Sequence, residues 1–319
     1  MDLGVHLPLV QFGEERLSFE RLATVVDAAR EGGFAAVLAN DHFVFQAPRL
    51  DGPTALASVI ERSAPLTVTT VALAVLRPPV QLAKALAAID LLSGGRLVAA
   101  LGPGSSQGDY EAVGVPFDER WKRFDEALAV VRALLNGAQP PEDPRYYPVP
   151  SDLELVPAPR GPGGVPLWVA SWGSPAGLAR VARAGDGWLA SAYNTTPEGF
   201  SAARARLARA LADRGREPGL PNALATMWTW VANDAAERDR VLAKVLAPVA
   251  NRDPDELGAQ LCVGSAEHCA QLLSRYAKAG CQRVYLWPLG DERRQLERVA
   301  SEVAPLMGEQ VRFRGHSRI

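Results

Sequence analysis

The chain has 319 residues, 48% of them hydrophobic, and its 34 basic and 36 acidic side chains leave a net charge of −2 with no long run of one sign. A large core is therefore within reach, while a nucleic-acid or membrane surface is not indicated, so the expected partner is a small molecule. The N-terminal stretch MDLGVHLPLVQFGEERL lacks the basic and apolar regions of a signal peptide, no window approaches eighteen apolar residues, and a cytoplasmic location is expected.

Short apolar strands alternate with helical patterns along the whole chain. In order they are a strand over Leu3 to Leu9, a helix over Phe19 to Arg30, a strand over Ala35 to Ala39, a strand over Thr67 to Val75, and a helix over Val80 to Leu92. A strand over Leu97 to Leu101, a helix over Phe117 to Leu135, a strand over Leu167 to Ser171, a helix over Pro175 to Ala184 and a strand over Trp188 to Ser191 follow. The last part reads as a helix over Pro197 to Arg214, a strand over Ala223 to Val231, a helix over Ala266 to Ala279, a strand over Arg283 to Trp287 and a helix over Glu292 to Leu306. Eight strands in this rhythm predict an α/β fold, a (β/α)8 TIM barrel forming a single domain over 1–319. The proline-rich stretch at about 137–164 reads as an insertion before strand five, and 233–264 as a helical excursion after strand seven.

Two local patterns support this. Glycine marks four helix-to-strand joints, in EGGFAAVLAN, SGGRLVAALG, RAGDGWLASA and KAGCQRVYLW, where a left-handed residue is expected to end each helix. Phe117, Trp121, Phe124, Leu128, Val131 and Leu135 recur at spacings of four and three and predict one buried helical stripe. Cys262, Cys269 and Cys281 are odd in number and form no CxxC, and the four histidines, His6, His42, His268 and His316, are scattered. Three buried thiols and no metal site are expected.

Candidate chemistry falls at strand ends, where this fold builds its sites. Asp41 and His42 follow strand two and offer an acid and an imidazole, with a turn cap and a space-filling ring as the alternative reading. His6 lies within strand one, either lining the barrel or as a core histidine. Gly102, Gly104 and Ser105 form a glycine-rich turn after strand four. Ser171, Trp172, Gly173 and Ser174 lead into a helix whose free N–H groups suit an anion, and Ser191 ends strand six; Ser/Thr capping explains the same hydroxyls. Gly264, Ser265 and Glu267 read as a helix cap. Trp172, Trp188, Trp228, Trp230 and Trp287 cluster near strand ends, as pocket walls for a flat ring or as core.

The run Gly94-Gly95-Arg96, strand, Gly102-x-Gly104, acidic spacer, and the helix bearing Gly114, Pro116, Phe117, Glu119, Arg120 and Arg123 resembles the bacterial luciferase-like family of flavin and deazaflavin oxidoreductases. The resemblance extends from Leu3 to about Leu306. It implies a (β/α)8 barrel, usually a homodimer, acting on a small organic substrate with coenzyme F-420 (F420) or FMN, as a hydride-transferring enzyme or a monooxygenase. In deazaflavin-dependent members the Asp-His pair contacts the ring, the turn after strand five holds the ribityl phosphate, and strand three carries a bulge or non-prolyl cis peptide beneath the ring. Here those positions are Asp41 and His42, then Ser171 to Ser174 with Ser191, then Ala74 and Val75. The sugar-phosphate branch has a tryptophan and a glutamate where this chain has Gln46 and Ser105, which argues against that branch's substrate and acid/base scheme. A flavin-binding protein without catalysis, and a non-redox barrel enzyme acting on a phosphorylated metabolite, remain the other two readings.

Overall fold

The computed structural model describes residues 1–159 and 163–312, so that 160–162 of the proline-rich segment and His316 lie outside the described residues. Eight parallel strands close into a barrel: β1 (Asp2–His6), β2 (Ala36–Asn40), β3 (Thr67–Leu73), β4 (Leu97–Gly102), β5 (Leu167–Ala170), β6 (Gly187–Ser191), β7 (Asn222–Val231) and β9 (Arg283–Pro288). Neighbours pair in sequence order from β1 to β7, and β9 joins β7 to β1 and closes the ring. The short β8 (Cys262–Gly264) extends the outer end of β7 through Thr229 to Val231. Among the described residues no helix is long and apolar enough to cross a membrane.

The core has two layers. Inside the barrel lie Leu38, Trp168, Leu189 and Tyr285 among the small residues Ala36, Ala100, Ala223 and Ala225. Gly187 makes room there, since a Cβ on it would meet the Trp168 ring at 2.4 Å. The second layer packs the outward strand faces against the helices and carries most of the leucines and valines. Alternation along each strand divides its residues between the layers, which is why these strands read as continuous apolar runs.

Helix starts follow local capping. Ser18, Ser174, Thr196 and Ser265 accept from the amides of Arg21, Gly177, Gly199 and His268. Gly33, Gly94, Gly95 and Gly280 have positive φ at three of the four glycine joints, but the fourth departs from expectation: Gly185 is extended, with φ −98°, because the helix there ends directly into β6. The stripe on the helix Arg120–Asn136 is shorter than its spacing suggests. Phe124, Leu128, Val131 and Leu135 are buried, Phe117 only partly, and Trp121 is 43% exposed, its ring covered by the Arg120 and Arg180 guanidinium groups.

Among the described residues, the segment after that helix has no helix or strand up to β5, whereas 233–264 folds into short helices leading to β8. Two further short helices, Gly52–Ser58 and Gln107–Ala112, follow β2 and β4 and were not expected. The three cysteines are free and buried.

Candidate active site

The C-terminal strand ends open on a cleft of about 190 Å³ lined by residues from several of them. Asn40, His42 and Arg49 come from β2 and the segment after it, Ser105 from the β4 turn, Thr226 and Trp228 from β7, and Trp287 from β9. Val249 and Leu257 from the excursion after β7 close one side.

The β2 side is knitted by charge. Asp41 is 3% exposed and receives both Nε (2.7 Å) and Nη2 (2.9 Å) of Arg77, which also bonds Asp51, the N-cap of Gly52–Ser58. These carboxylates raise the Arg77 pKa against the opposing effect of burial. Gly52 permits the crowding, since a Cβ there would lie 2.2 Å from the Asn40 carbonyl oxygen. Asp41 is thereby turned into the scaffold, and its neighbour His42 faces the cleft. His42 Nδ1 lies 2.7 Å from Asp109 Oδ2, and Asp109 Oδ1 accepts the amides of Phe43 (2.8 Å) and Val44 (2.7 Å). Burial by itself would push the Asp109 carboxyl up; the bonds from His42 and the two amides outweigh it and hold the group below the ordinary carboxylate range. The acid sits on the short helix after β4, 67 residues from its partner.

The opposite side is aromatic and short of acceptors. His6 ends β1, not three residues inside the strand as expected, and its ring stacks on Trp287 at 3.5 Å and 5°. Its Nδ1 lies 2.7 Å from the Leu7 carbonyl oxygen, so Nδ1 carries the proton and Nε2 is left as an acceptor without a partner. Burial, aided by the Arg49 charge and opposed by the Leu7 bond, lowers its pKa to about 3, so the ring is neutral. Trp228 and Trp287 tilt at 5.1 Å, and their indole Nε1 groups are buried without acceptors. Arg49 lies over the Phe45 and Trp287 rings and donates to Asn40 Oδ1, while its buried Nε has no partner. Burial lowers its pKa to about 10, with Asp41 and Asp109 pulling the other way.

Thr226 sits between these walls. β7 gains a residue against β9 between Leu224 and Met227, and Thr226 adopts φ 56°, a conformation that costs a β-branched residue of order 1–3 kcal/mol. Its hydroxyl lies 2.8 Å from that of Ser191, which ties β6 to the cleft.

Of the residues expected from sequence, the structure brings His42 and Ser105 into the cleft, with His6 and Ser191 one contact behind its wall. Gly102 packs toward Ala170, and Gly104, with φ 82°, packs toward Leu73 and Tyr110, so both shape the β4 turn. Ser171 and Ser174 spend their hydroxyls on the Gly173 and Gly177 amides, Gly173 has φ 91°, Trp172 is 57% exposed, and none of the four lines the cleft. The expectation at Ala74 and Val75 is corrected: β3 ends at Leu73, both residues are buried in the following turn, Ala74 N–H bonds Gly102 O, and the cis bonds of the described residues are Ala64–Pro65 and Val156–Pro157. Trp188 belongs to the outer core, stacked on Phe200, and Trp230 donates to Glu237. Asp109, Arg49 and Thr226 were not singled out. Asp109 stood in plain view in the acidic spacer after β4, but nothing local points it at His42.

Among the described residues no group of three or more His, Cys, Asp or Glu is placed to hold a metal. The fold defines a TIM-barrel protein with a cleft at the carboxyl ends of its strands. The chain belongs to the luciferase-like monooxygenase family, whose model matches residues 1–283. It is similar to the phthiodiolone/phenolphthiodiolone dimycocerosates ketoreductase of Mycobacterium tuberculosis, 34% identical over 144 residues, or 44% of this chain and 37% of that protein. The chain thus matches little more than a third of that relative's length. In fold it resembles the monooxygenase RslO1 of Streptomyces bottropensis (TM-score 0.81, 22% identity, 96% of this chain and 99% of that one). It also resembles an F420-dependent secondary alcohol dehydrogenase solved with an F420-acetone adduct (TM-score 0.82, 17% identity, 96% and 98%).

Proposed function

We propose that this protein is an oxidoreductase that works on a small organic substrate with a flavin-type ring seated in the barrel mouth, coenzyme F420 by preference and FMN as the second choice. The observation that carries this reading is the aromatic wall with its unmet donors: Trp228 and Trp287 line the cleft, and their two buried indole N–H groups lack acceptors. A planar tricycle bearing ring carbonyls fits that wall in both shape and hydrogen bonding. When bound, F420 supplies a hydride to a carbonyl or takes one from an alcohol, and reduced FMN supplies reactivity toward oxygen.

The protein's own part is orientation, dryness and one proton. Phe45, Val249 and Leu257 narrow the cleft and exclude water. With Nδ1–H of His42 held by the ionised Asp109, Nε2 is the imidazole atom left to accept or return a proton. Asp109 is a positioning residue: it fixes the tautomer and, through the two amides, the chain that carries His42. Ser105 shapes the opening without offering a titratable group. We assign Ser171 to Ser174 to the phosphate-bearing tail, where the dipole of Pro175–Ala184 and the Ala176 N–H supply the attraction, since Pro175 has no N–H and the Gly177 amide is already capped by Ser174.

Equilibrium binding of F420 and of FMN, followed by anaerobic reduction and a substrate screen, tests the reading. Binding of neither ring overturns it in favour of a non-redox barrel enzyme, and tight binding without turnover favours a binding protein. With a turnover assay in hand, His42→Ala is expected to lower kcat by about 10²-fold or more, and Asp109→Asn by about tenfold with a changed pH profile. Unchanged kcat in His42→Ala removes the imidazole from the chemistry.

A further inference from the structure

Arg49 is a charged group at the cleft that the ring reading does not use. The backbone that carries it is fixed: Val10 and Arg49 form an antiparallel bridge, and Gln11 N–H to Pro48 O and Leu50 N–H to Leu9 O close the ladder on both sides. The side chain reaches into the mouth between the Phe45 and Trp287 rings. A guanidinium has five N–H donors, and here the single acceptor among the described residues is the neutral Asn40 Oδ1. No carboxylate of the described residues comes within ion-pair distance, whereas Arg77, which follows β3, has two. His6, the other titratable ring beside it, is neutral and supplies no counter-charge.

The nearest carboxylates acting on Arg49, Asp41 and Asp109, lie beyond ion-pair distance, and a desolvated cation held only by a neutral amide is costly unless an anion completes it. We propose that Arg49 is a substrate-binding residue that selects small molecules carrying a carboxylate, docked on its free guanidinium edge at the floor of the cleft. The proposal rests on the oxidoreductase reading for its account of why a substrate sits there. The chemistry of the group points to a carboxylate over a neutral carbonyl, because a planar fork matches a planar two-oxygen anion and gains charge-assisted bonds from it.

Benzoate and its neutral isostere benzamide are suitable probes, titrated calorimetrically into the full chain with and without F420 or FMN. Benzoate is expected to bind about tenfold or more tightly than benzamide, Arg49→Gln to reduce that preference to about threefold or less, and Arg49→Lys to leave an intermediate one. Equal binding of the two probes by the unaltered protein overturns the proposal without recourse to any variant. So does an unchanged benzoate preference in Arg49→Gln, or loss of ring binding alone in that variant, which assigns Arg49 to the cofactor. If neither ring binds but benzoate binds through Arg49, the oxidoreductase reading fails and the carboxylate site stands.

Discussion

The two walls of the barrel mouth differ in how completely their polar groups are met. On the β2–β4 side every strong group has found its partner within the chain: Asp41 with Arg77, Arg77 with Asp51, Asp109 with His42 and two amides. On the β1–β7–β9 side Arg49 Nε, Trp228 Nε1, Trp287 Nε1 and His6 Nε2 have none. Buried polar groups without partners are rare in folded proteins, because each gives up its hydration for nothing. On the reading proposed above, the satisfied wall holds geometry and the unsatisfied wall receives the ligand. Asp41 and His42 show the contrast over a single peptide bond, one side chain locked into the scaffold and the next facing the cleft.

Damage to the satisfied wall should be the most costly to the fold. Arg77→Met leaves the buried Asp41 carboxylate uncompensated, and chemical denaturation is expected to show a loss of about 3–5 kcal/mol; a loss below about 1 kcal/mol places Asp41 in contact with water and weakens the contrast. On the other wall, His6 is expected to act through pH. Its folded pKa of about 3 lies below the unfolded 6.5, so the unfolded chain binds the extra proton in between, and stability is lost as pH falls from 6.5 toward 3. The contribution is roughly 5 kcal/mol at most. His6→Gln should flatten the pH dependence of unfolding in that window relative to the unaltered chain, and equal slopes would remove the burial account. The smallest effect on stability is expected for Trp228→Phe, which deletes an N–H that bonds nothing: under about 1 kcal/mol, with ring affinity lower by about fivefold. A large stability loss with unchanged ring binding would make Trp228 a core residue instead of a ligand wall.

How far the sequence foretold this depends on the range of the interaction. Strands that alternate between two apolar layers leave continuous apolar runs, and helices leave a three-and-four rhythm, so all eight barrel strands and the seven main helices could be read from local pattern. Trp121 misled because periodicity counts an indole as core even when two arginines shelter it at the surface. His42 and Ser105 were legible because a barrel puts its site at strand ends. Asp109 and Arg49 were not: one finds its histidine 67 residues away, and the other is defined by the lack of a partner, which no spacing encodes. The expected irregularity under the ring was placed on β3, whereas the left-handed residue of the barrel strands is Thr226 on β7.

That extra residue in β7 also changes which side chains the strand turns inward. Before it, Ala223 and Ala225 face the barrel interior; beyond it, the even-numbered Thr226 and Trp228 line the mouth. β9 alongside has no such step, and its Tyr285 and Trp287 keep one parity throughout. An uninterrupted β7 would have aimed a methionine and a threonine at the mouth and sent the indole into the helix layer. The strained threonine works as a phase shifter: one surplus residue inverts the in-out code of the strand, and the aromatic wall exists because of that inversion.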